Sequence, residues 1–98
     1  MAATNPNDTV RVHIWVTGRV QGVGFRAYVM QSGALYGLTG WVRNVGDDMV
    51  ETVAEGRRDV IERFVGVVKS GPRASHVVDA RVEWENPSGD LFQFQVRF

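Results

Sequence analysis

One stretch constrains the fold more than any other: residues 18–26, GRVQGVGFR, join a strand pattern to a helix pattern. In residues 10–17 apolar and polar side chains alternate strictly, which is typical of a half-buried strand. Residues 25–36 carry apolar side chains near helical spacing and are followed by Gly37, a favourable residue at a helix end. Three glycines within seven residues let the joining segment turn sharply. This part of the chain is therefore predicted as strand, glycine-rich loop and helix.

The chemistry of this loop predicts an anion-binding site. Successive main-chain N–H groups in such a loop can point into one concavity, and a helix that begins near Phe25 adds unpaired N–H groups and the positive end of its dipole. Arg26 falls in the first turn, where a guanidinium can bind an oxyanion with two parallel hydrogen bonds. The glycine spacing differs from that of a dinucleotide-binding loop, and the Gly-Lys-Ser/Thr of a P-loop is missing. From these residues alone, a plain turn followed by a solvent-facing arginine remains an alternative.

The remaining patterns predict an α+β fold. The further elements are, in order, strand 39–45, strand 49–55, helix 57–70, strand 77–85 and strand 92–98. Turn residues at 46–48 predict that the strands at 39–45 and 49–55 form a hairpin. The order β-α-β-β-α-β with a short extra strand is the ferredoxin-like split βαβ arrangement, in which two helices cover one face of a mostly antiparallel sheet.

Length and composition exclude several classes of protein. Ninety-eight residues fit one domain, and a formal net charge of zero gives no field that attracts nucleic acid or an anionic membrane. The absence of cysteine excludes disulfides and thiolate chemistry, and no apolar run reaches the ~18 residues of a membrane span. Residues 1–9 are polar and lack the layout of a signal peptide. We therefore expect a flexible tail over residues 1–9, a domain over residues 10–98, and a cytoplasmic monomer.

Two motifs resemble those of the acylphosphatase family. Residues 18–26 resemble its phosphate loop, and residues 40–44, GWVRN, resemble its second signature, a Gly-aromatic-Val-basic-Asn run. The resemblance covers residues 10–98 and implies a small enzyme without cofactor that hydrolyses the carboxyl-phosphate anhydride bond of acyl phosphates. Asp48 stands where the family usually has glycine, so we expect Gly46 to take the left-handed position of the turn. Gly33 stands where the family usually has alanine, which predicts a helix weakened by ~1 kcal/mol.

The available side chains restrict the chemistry of the site. With two histidines, no cysteine and no cluster of carboxylates, the sequence predicts neither a covalent nucleophile nor a metal site. A site of Arg26, main-chain N–H groups and Asn44 has no general acid or base. It therefore suits a substrate with a good leaving group, such as the carboxylate of an acyl phosphate, whose conjugate acid has a pKa near ~4. By spacing alone, a strand-end residue that caps the hairpin turn is the favoured interpretation of Asn44, and only the match to the family motif favours the catalytic role.

The resemblance implies a role for each candidate residue. Arg26 would bind the phosphate and the Asn44 side chain would orient the attacking water, as at the matching positions of the family. We expect the other phosphate ligands to be main-chain N–H groups of Gln21, Gly22, Val23, Gly24, Phe25 and Arg26. The expected partners are a small-molecule acyl phosphate and inorganic phosphate or sulfate as a product-like ligand.

The sequence leaves two alternative functions to be distinguished from an acylphosphatase. A binding module of the same fold would hold a phosphorylated or carbamoylated ligand without turnover, as the resembling domain of larger carbamoyl-phosphate-using proteins implies; a chain ending at Phe98 favours the free-standing enzyme. An RNA-binding module would need aromatic and basic residues on its third strand. Residues 49–55 have neither, which disfavours that reading.

Overall fold

The computed structural model describes residues 5–98, in which two helices pack on a five-stranded sheet. The elements are β1 (Thr9–Arg19), α1 (Phe25–Leu35), β2 (Thr39–Val45), β3 (Met49–Arg57), α2 (Arg58–Ser70), β4 (His76–Glu85) and β5 (Phe94–Val96). The strand order is β4-β1-β3-β2-β5, and neighbours are antiparallel except β5, which is parallel to β2. The predicted ferredoxin-like arrangement is confirmed. None of the helices in this part of the chain is long and apolar enough to cross a bilayer.

Strand β1 separates the two faces of the sheet as its alternation predicts. Val12, Ile14 and Val16 are fully buried beneath the helices. His13 and Trp15 lie on the opposite face and are partly exposed. The helices complete the core with Phe25, Val29, Ile61, Phe64 and Val68. Strand β1 lies between β4 and β3 in the sheet. The glycine-rich loop follows the carboxyl end of β1 and therefore lies at one end of the sheet.

Gly33 has a packing role that its helix propensity does not reveal. A Cβ atom on Gly33 would lie 2.3 Å from Cδ2 of Phe94, and one on Gly40 would lie 2.8 Å from Cε2 of the same ring. The ring of Phe94 therefore fills a notch between α1 and β2, and its residue is buried. Gly33 lowers the helix propensity of α1, but the space that it leaves is filled by the large apolar side chain of Phe94.

The predicted strand over residues 92–98 was too long. Gln93 has a positive φ of 59°, a left-handed conformation that interrupts an extended strand. The ladder with β2 is therefore confined to Phe94–Val96. Phe92 and Phe98, at the two ends of the predicted strand, are 73% and 100% exposed.

The pairing of β4 with β1 is irregular at one end. A register shift in its pairing with β1 occurs between Thr17 and Gly18. Such an irregularity moves the alternation of side chains by one residue. Val77 therefore packs against the core, whereas Val78 is 71% exposed.

Part of the predicted tail contacts the domain. The main-chain N–H of Arg58 donates to the carbonyl oxygen of Asp8 at 2.9 Å, and that of Asp59 donates to Pro6 at 3.2 Å. Thr9 already belongs to β1. Residues 1–4 lie outside the described residues, and the flexibility of residues 1–9 stays a prediction.

Candidate active site

The glycine-rich loop connects β1 to α1 with main-chain N–H groups unpaired. Gly22 and Gly24 have φ of 74° and 77°, which residues with a side chain rarely adopt, and Gly24 is the N-cap of α1. Among residues 5–98, none accepts a hydrogen bond from the main-chain N–H groups of residues 21–26. These donors lie at the positive end of the α1 dipole and are available to an anionic ligand.

Arg26 lies in the first turn of α1 and is half-buried. Its guanidinium carbon lies 5.0 Å from the centroid of the Phe98 ring, a cation–π contact. No carboxylate within residues 5–98 lies at ion-pair distance from it. The positive charge of Arg26 is therefore not compensated by an acidic side chain.

Asn44 lies on β2, opposite Val50 of β3 and just before the hairpin turn. Its Oδ1 atom is the one buried side-chain oxygen or nitrogen in the described part of the chain that has no hydrogen-bond partner. Buried polar atoms almost always have a partner, so an unpaired one calls for an explanation. This oxygen can accept a hydrogen bond from a small donor that enters beside it.

One cavity of about 250 Å³ brings these groups together. Its wall contains the predicted site residues Gln21, Gly22, Gly24, Phe25, Arg26 and Asn44, together with Val20, Ala27, Val96 and Phe98. Val23 is not part of this wall, and its side chain packs against the core. Donors and the Asn44 amide thus line one cavity, which leaves space for a small ligand.

Sequence reasoning missed the contribution of β5 to this cavity. Val96 and Phe98 reach it because β5 pairs with β2, the strand that carries Asn44. The alternation in residues 92–98 was the available signal. It placed these two side chains on one side of a strand but did not identify the neighbouring strand.

The hairpin turn next to Asn44 adopts the predicted conformation. Gly46 has a φ of 59°, whereas φ is not positive at Asp48, so Gly46 takes the left-handed position. The N–H of Gly18 donates to the carbonyl oxygen of Asp48 at 3.0 Å, which joins the turn to the end of β1. Aspartate in place of the family glycine is therefore compatible with a regular turn at this site.

The neighbouring arginine of the second motif is already paired. Arg43 donates through Nε to Glu51 at 2.6 Å, and its guanidinium carbon lies 5.5 Å from the centroid of the Trp41 ring. Burial alone would raise the pKa of Glu51, but hydrogen bonds from Arg43 and His13 outweigh it and hold that pKa below the ordinary value. Arg43 is thus a partner of Glu51 on the opposite face from the core, and Arg26 is the arginine that faces the cavity.

Comparison with known proteins assigns a family to this arrangement. The acylphosphatase family model matches residues 12–96. An acylphosphatase of Trichormus variabilis is 48% identical over 95 residues, which are 97% of this chain and 93% of that protein. The crystal structure of an acylphosphatase from Bacillus subtilis matches with a TM-score of 0.86 and 37% identity, over 91% of this chain and 99% of that chain. A full-length HypF in its phosphate- and nucleotide-bound form matches with a TM-score of 0.80 and 26% identity, over 93% of this chain but 12% of that one.

Proposed function

The chain belongs to the acylphosphatase family of hydrolases acting on acid anhydrides, and we propose that Asn44 positions a water for in-line attack on a phosphoryl group held by Arg26 and the loop amides. One observation carries this proposal. The loop residues, Arg26 and Asn44, whose Oδ1 is buried without a partner in the described part of the chain, all line the same cavity.

The loop and Arg26 are suited to hold the phosphoryl oxygens. The main-chain N–H groups of residues 21–26 and the guanidinium of Arg26 are donors without protein acceptors among residues 5–98. Donors fixed by the fold need no reorganisation when negative charge develops on the phosphoryl oxygens. This wall therefore both binds the substrate and stabilises the transition state.

The amide of Asn44 is suited to the attacking water. Its Oδ1 would accept one hydrogen bond from the water and so direct the water oxygen toward phosphorus. The water oxygen forms a bond to phosphorus as the bond to the acyl oxygen breaks. The electron pair of the broken bond leaves on the carboxylate, and the water proton passes to a phosphoryl oxygen. Since a carboxylate leaves without protonation, no general acid is required.

A metal-free hydrolysis assay tests the proposed function. With a chelator present, the protein should release phosphate from acetyl or benzoyl phosphate and leave an alkyl phosphate monoester intact, because only the anhydride has a leaving group that needs no proton. Phosphate binding without release from the anhydride would identify a binding module instead. Equal cleavage of both substrates would contradict the mechanism.

The same proposal includes a monomeric enzyme. Sedimentation at the concentrations used in the assay should give the mass of one chain. The cytoplasmic location expected from the sequence stays a prediction.

A further inference from the structure

The side chain of Gln21 connects the glycine-rich loop to the β2–β3 hairpin. Its Nε2 atom donates to the carbonyl oxygens of Gly46 and Met49, both at 2.9 Å, and lies 3.3 Å from that of Val45. Only the amino end of the side-chain amide can face three carbonyl oxygens, since Oε1 is an acceptor. This orientation therefore follows from the contacts themselves.

These contacts reach the part of the hairpin that carries Asn44. Strand pairing between β2 and β3 ends at Val45 and Met49, and residues 46–48 beyond that pair are exposed. Residues 46–48, Gly-Asp-Asp, carry no apolar side chain that could be buried. The Gln21 amide, the hydrogen bond from Gly18 to Asp48 and the pairing of Met49 with Thr17 connect this turn to the loop and to the end of β1.

We propose that Gln21 is a positioning residue that sets the location of Asn44 relative to the N–H groups of the loop. The inference rests on the roles proposed above for Asn44 and Arg26. Gln21 lines the cavity and its main-chain N–H has no acceptor among residues 5–98, whereas its side chain donates to the hairpin. One residue thus links the phosphate wall of the cavity to the wall that carries the water-binding amide.

The proposal predicts a separation between turnover and affinity. Gln21→Ala keeps the main-chain N–H, so the inhibition constant of inorganic phosphate should stay within about twofold. The rate constant kcat should fall by about 10- to 100-fold, because small displacements of a positioning group have effects of that size. Equal losses of kcat and phosphate affinity, or an unchanged kcat, would overturn the proposal.

An isosteric variant separates hydrogen bonding from the filling of space. Gln21→Glu keeps the length of the side chain but places a carboxylate against three carbonyl oxygens at neutral pH. Its kcat should be lower than that of Gln21→Ala, and it should recover in part in acidic buffer, where the protonated carboxyl can donate. A Gln21→Glu variant with wild-type kcat would show that the hydrogen bonds are irrelevant.

The control is Gln31→Ala, which removes the same atoms from an exposed position of α1. It should leave both constants unchanged. Wild-type protein and Asn44→Ala are assayed in parallel. If the wild type does not hydrolyse acyl phosphates, the proposed function fails; if it does and the Gln21 variants behave as wild type, only the present inference fails.

A measurement on the wild-type protein covers the case of a variant that does not fold. NMR scalar coupling across the hydrogen bonds should connect Nε2 of Gln21 to the carbonyl carbons of Gly46 and Met49. In folded Gln21→Ala, the side-chain amide signals of Asn44 should shift, and in Gln31→Ala they should not. Absence of the couplings, or unshifted Asn44 signals, would contradict the proposal.

Discussion

Buried polar groups have hydrogen-bond partners on the open face of the sheet, whereas those at the cavity have none among residues 5–98. The open-face network comprises Arg11, His13, Arg43, Glu51, Glu55 and Glu85, on the side of the sheet away from the helices. There, Glu51 is 6% exposed and accepts hydrogen bonds from Arg43 and from Nε2 of His13, each at 2.6 Å. At the cavity, Oδ1 of Asn44 and the loop N–H groups have no protein partner among residues 5–98.

Glu55, in the same network, accepts more hydrogen bonds than Glu51. It is 5% exposed and accepts hydrogen bonds from Arg11 at 2.9 Å, from the Ser88 N–H and hydroxyl at 2.8 and 2.9 Å, and from the Gly89 N–H at 3.0 Å. Burial alone would raise the pKa of Glu55, but these hydrogen bonds outweigh it and lower the pKa.

This difference indicates that the open-face network contributes to stability and that the unpaired groups of the cavity contribute to ligand binding. A buried charge with all its partners contributes to one folded arrangement, because losing a partner leaves an uncompensated charge. Unpaired donors and an unpaired acceptor in a cavity contribute nothing comparable to folding and are available to a ligand. Substitutions in the two regions should therefore change different quantities.

Arg26→Ala should give the largest effect. Removal of the charged phosphate ligand should lower kcat/KM by about 10³-fold or more and abolish measurable binding of inorganic phosphate. Steady-state kinetics and phosphate titration by calorimetry measure both. Arg63→Ala, at an exposed position of α2, is the matched control and should behave as wild type. Unchanged phosphate affinity in Arg26→Ala would contradict the role of this arginine, and of the cavity, in phosphate binding.

Asn44→Ala should lower kcat by about 10²- to 10³-fold while phosphate affinity stays nearly intact, because the amide acts on the water. The free energy of unfolding should not fall, since the substitution deletes a buried oxygen that has no partner. Kinetics, phosphate titration and urea denaturation test the three parts. A parallel loss of turnover and phosphate binding would count against the water-positioning role.

Glu55→Ala should show the converse pattern. It leaves Arg11, Ser88 and Gly89 without their acceptor, and the free energy of unfolding should fall by about 3 kcal/mol. The folded variant should hydrolyse acyl phosphate at the wild-type rate. Glu62→Ala is the control, because its 3.6 Å pair with Arg58 is exposed and worth less than about 0.5 kcal/mol. If Glu55→Ala lost activity but not stability, the assignment of the open-face network to stability would be wrong.

A pair of glycine substitutions sharpens the comparison by changing packing without changing any polar partner. Gly33→Ala should lower the free energy of unfolding by about 1–3 kcal/mol, because its methyl group would overlap the ring of Phe94. Gly66→Ala, in α2 with no atom near the added methyl, should raise it by about 0.5–1 kcal/mol. Urea denaturation gives both values. Stabilisation by Gly33→Ala would mean that the Phe94 notch has no effect.

The smallest effect should come from pH. Glu51 and Glu55 have folded-state pKa values below their ordinary value of 4.5, so the unfolded state takes up protons first as the pH falls. Their stabilisation is complete above pH 4.5 and is lost progressively as the pH falls through the lowered values. Stability measured against pH should therefore have a shallower acid slope in Glu51→Gln and Glu55→Gln. An unchanged slope would show that the network does not stabilise these carboxylates.

Sequence patterns were sufficient for the order of elements and for the polarity of most faces. The alternation in residues 10–17 identified β1, and the motifs at residues 18–26 and 40–44 contain most of the residues that line the cavity. Both signals are local, since strand and helix periods and glycine-rich turns depend on neighbours in the chain.

Tertiary structure alone decided the remaining features. The notch for Phe94, the register shift opposite Gly18 and the reach of Gln21 to the hairpin all depend on atoms far apart in sequence. Spacing along a chain does not encode such distances, because the strand order and the approach of packed elements set them. The sequence therefore determined which residues the site could use, and packing determined which groups stayed unpaired within it.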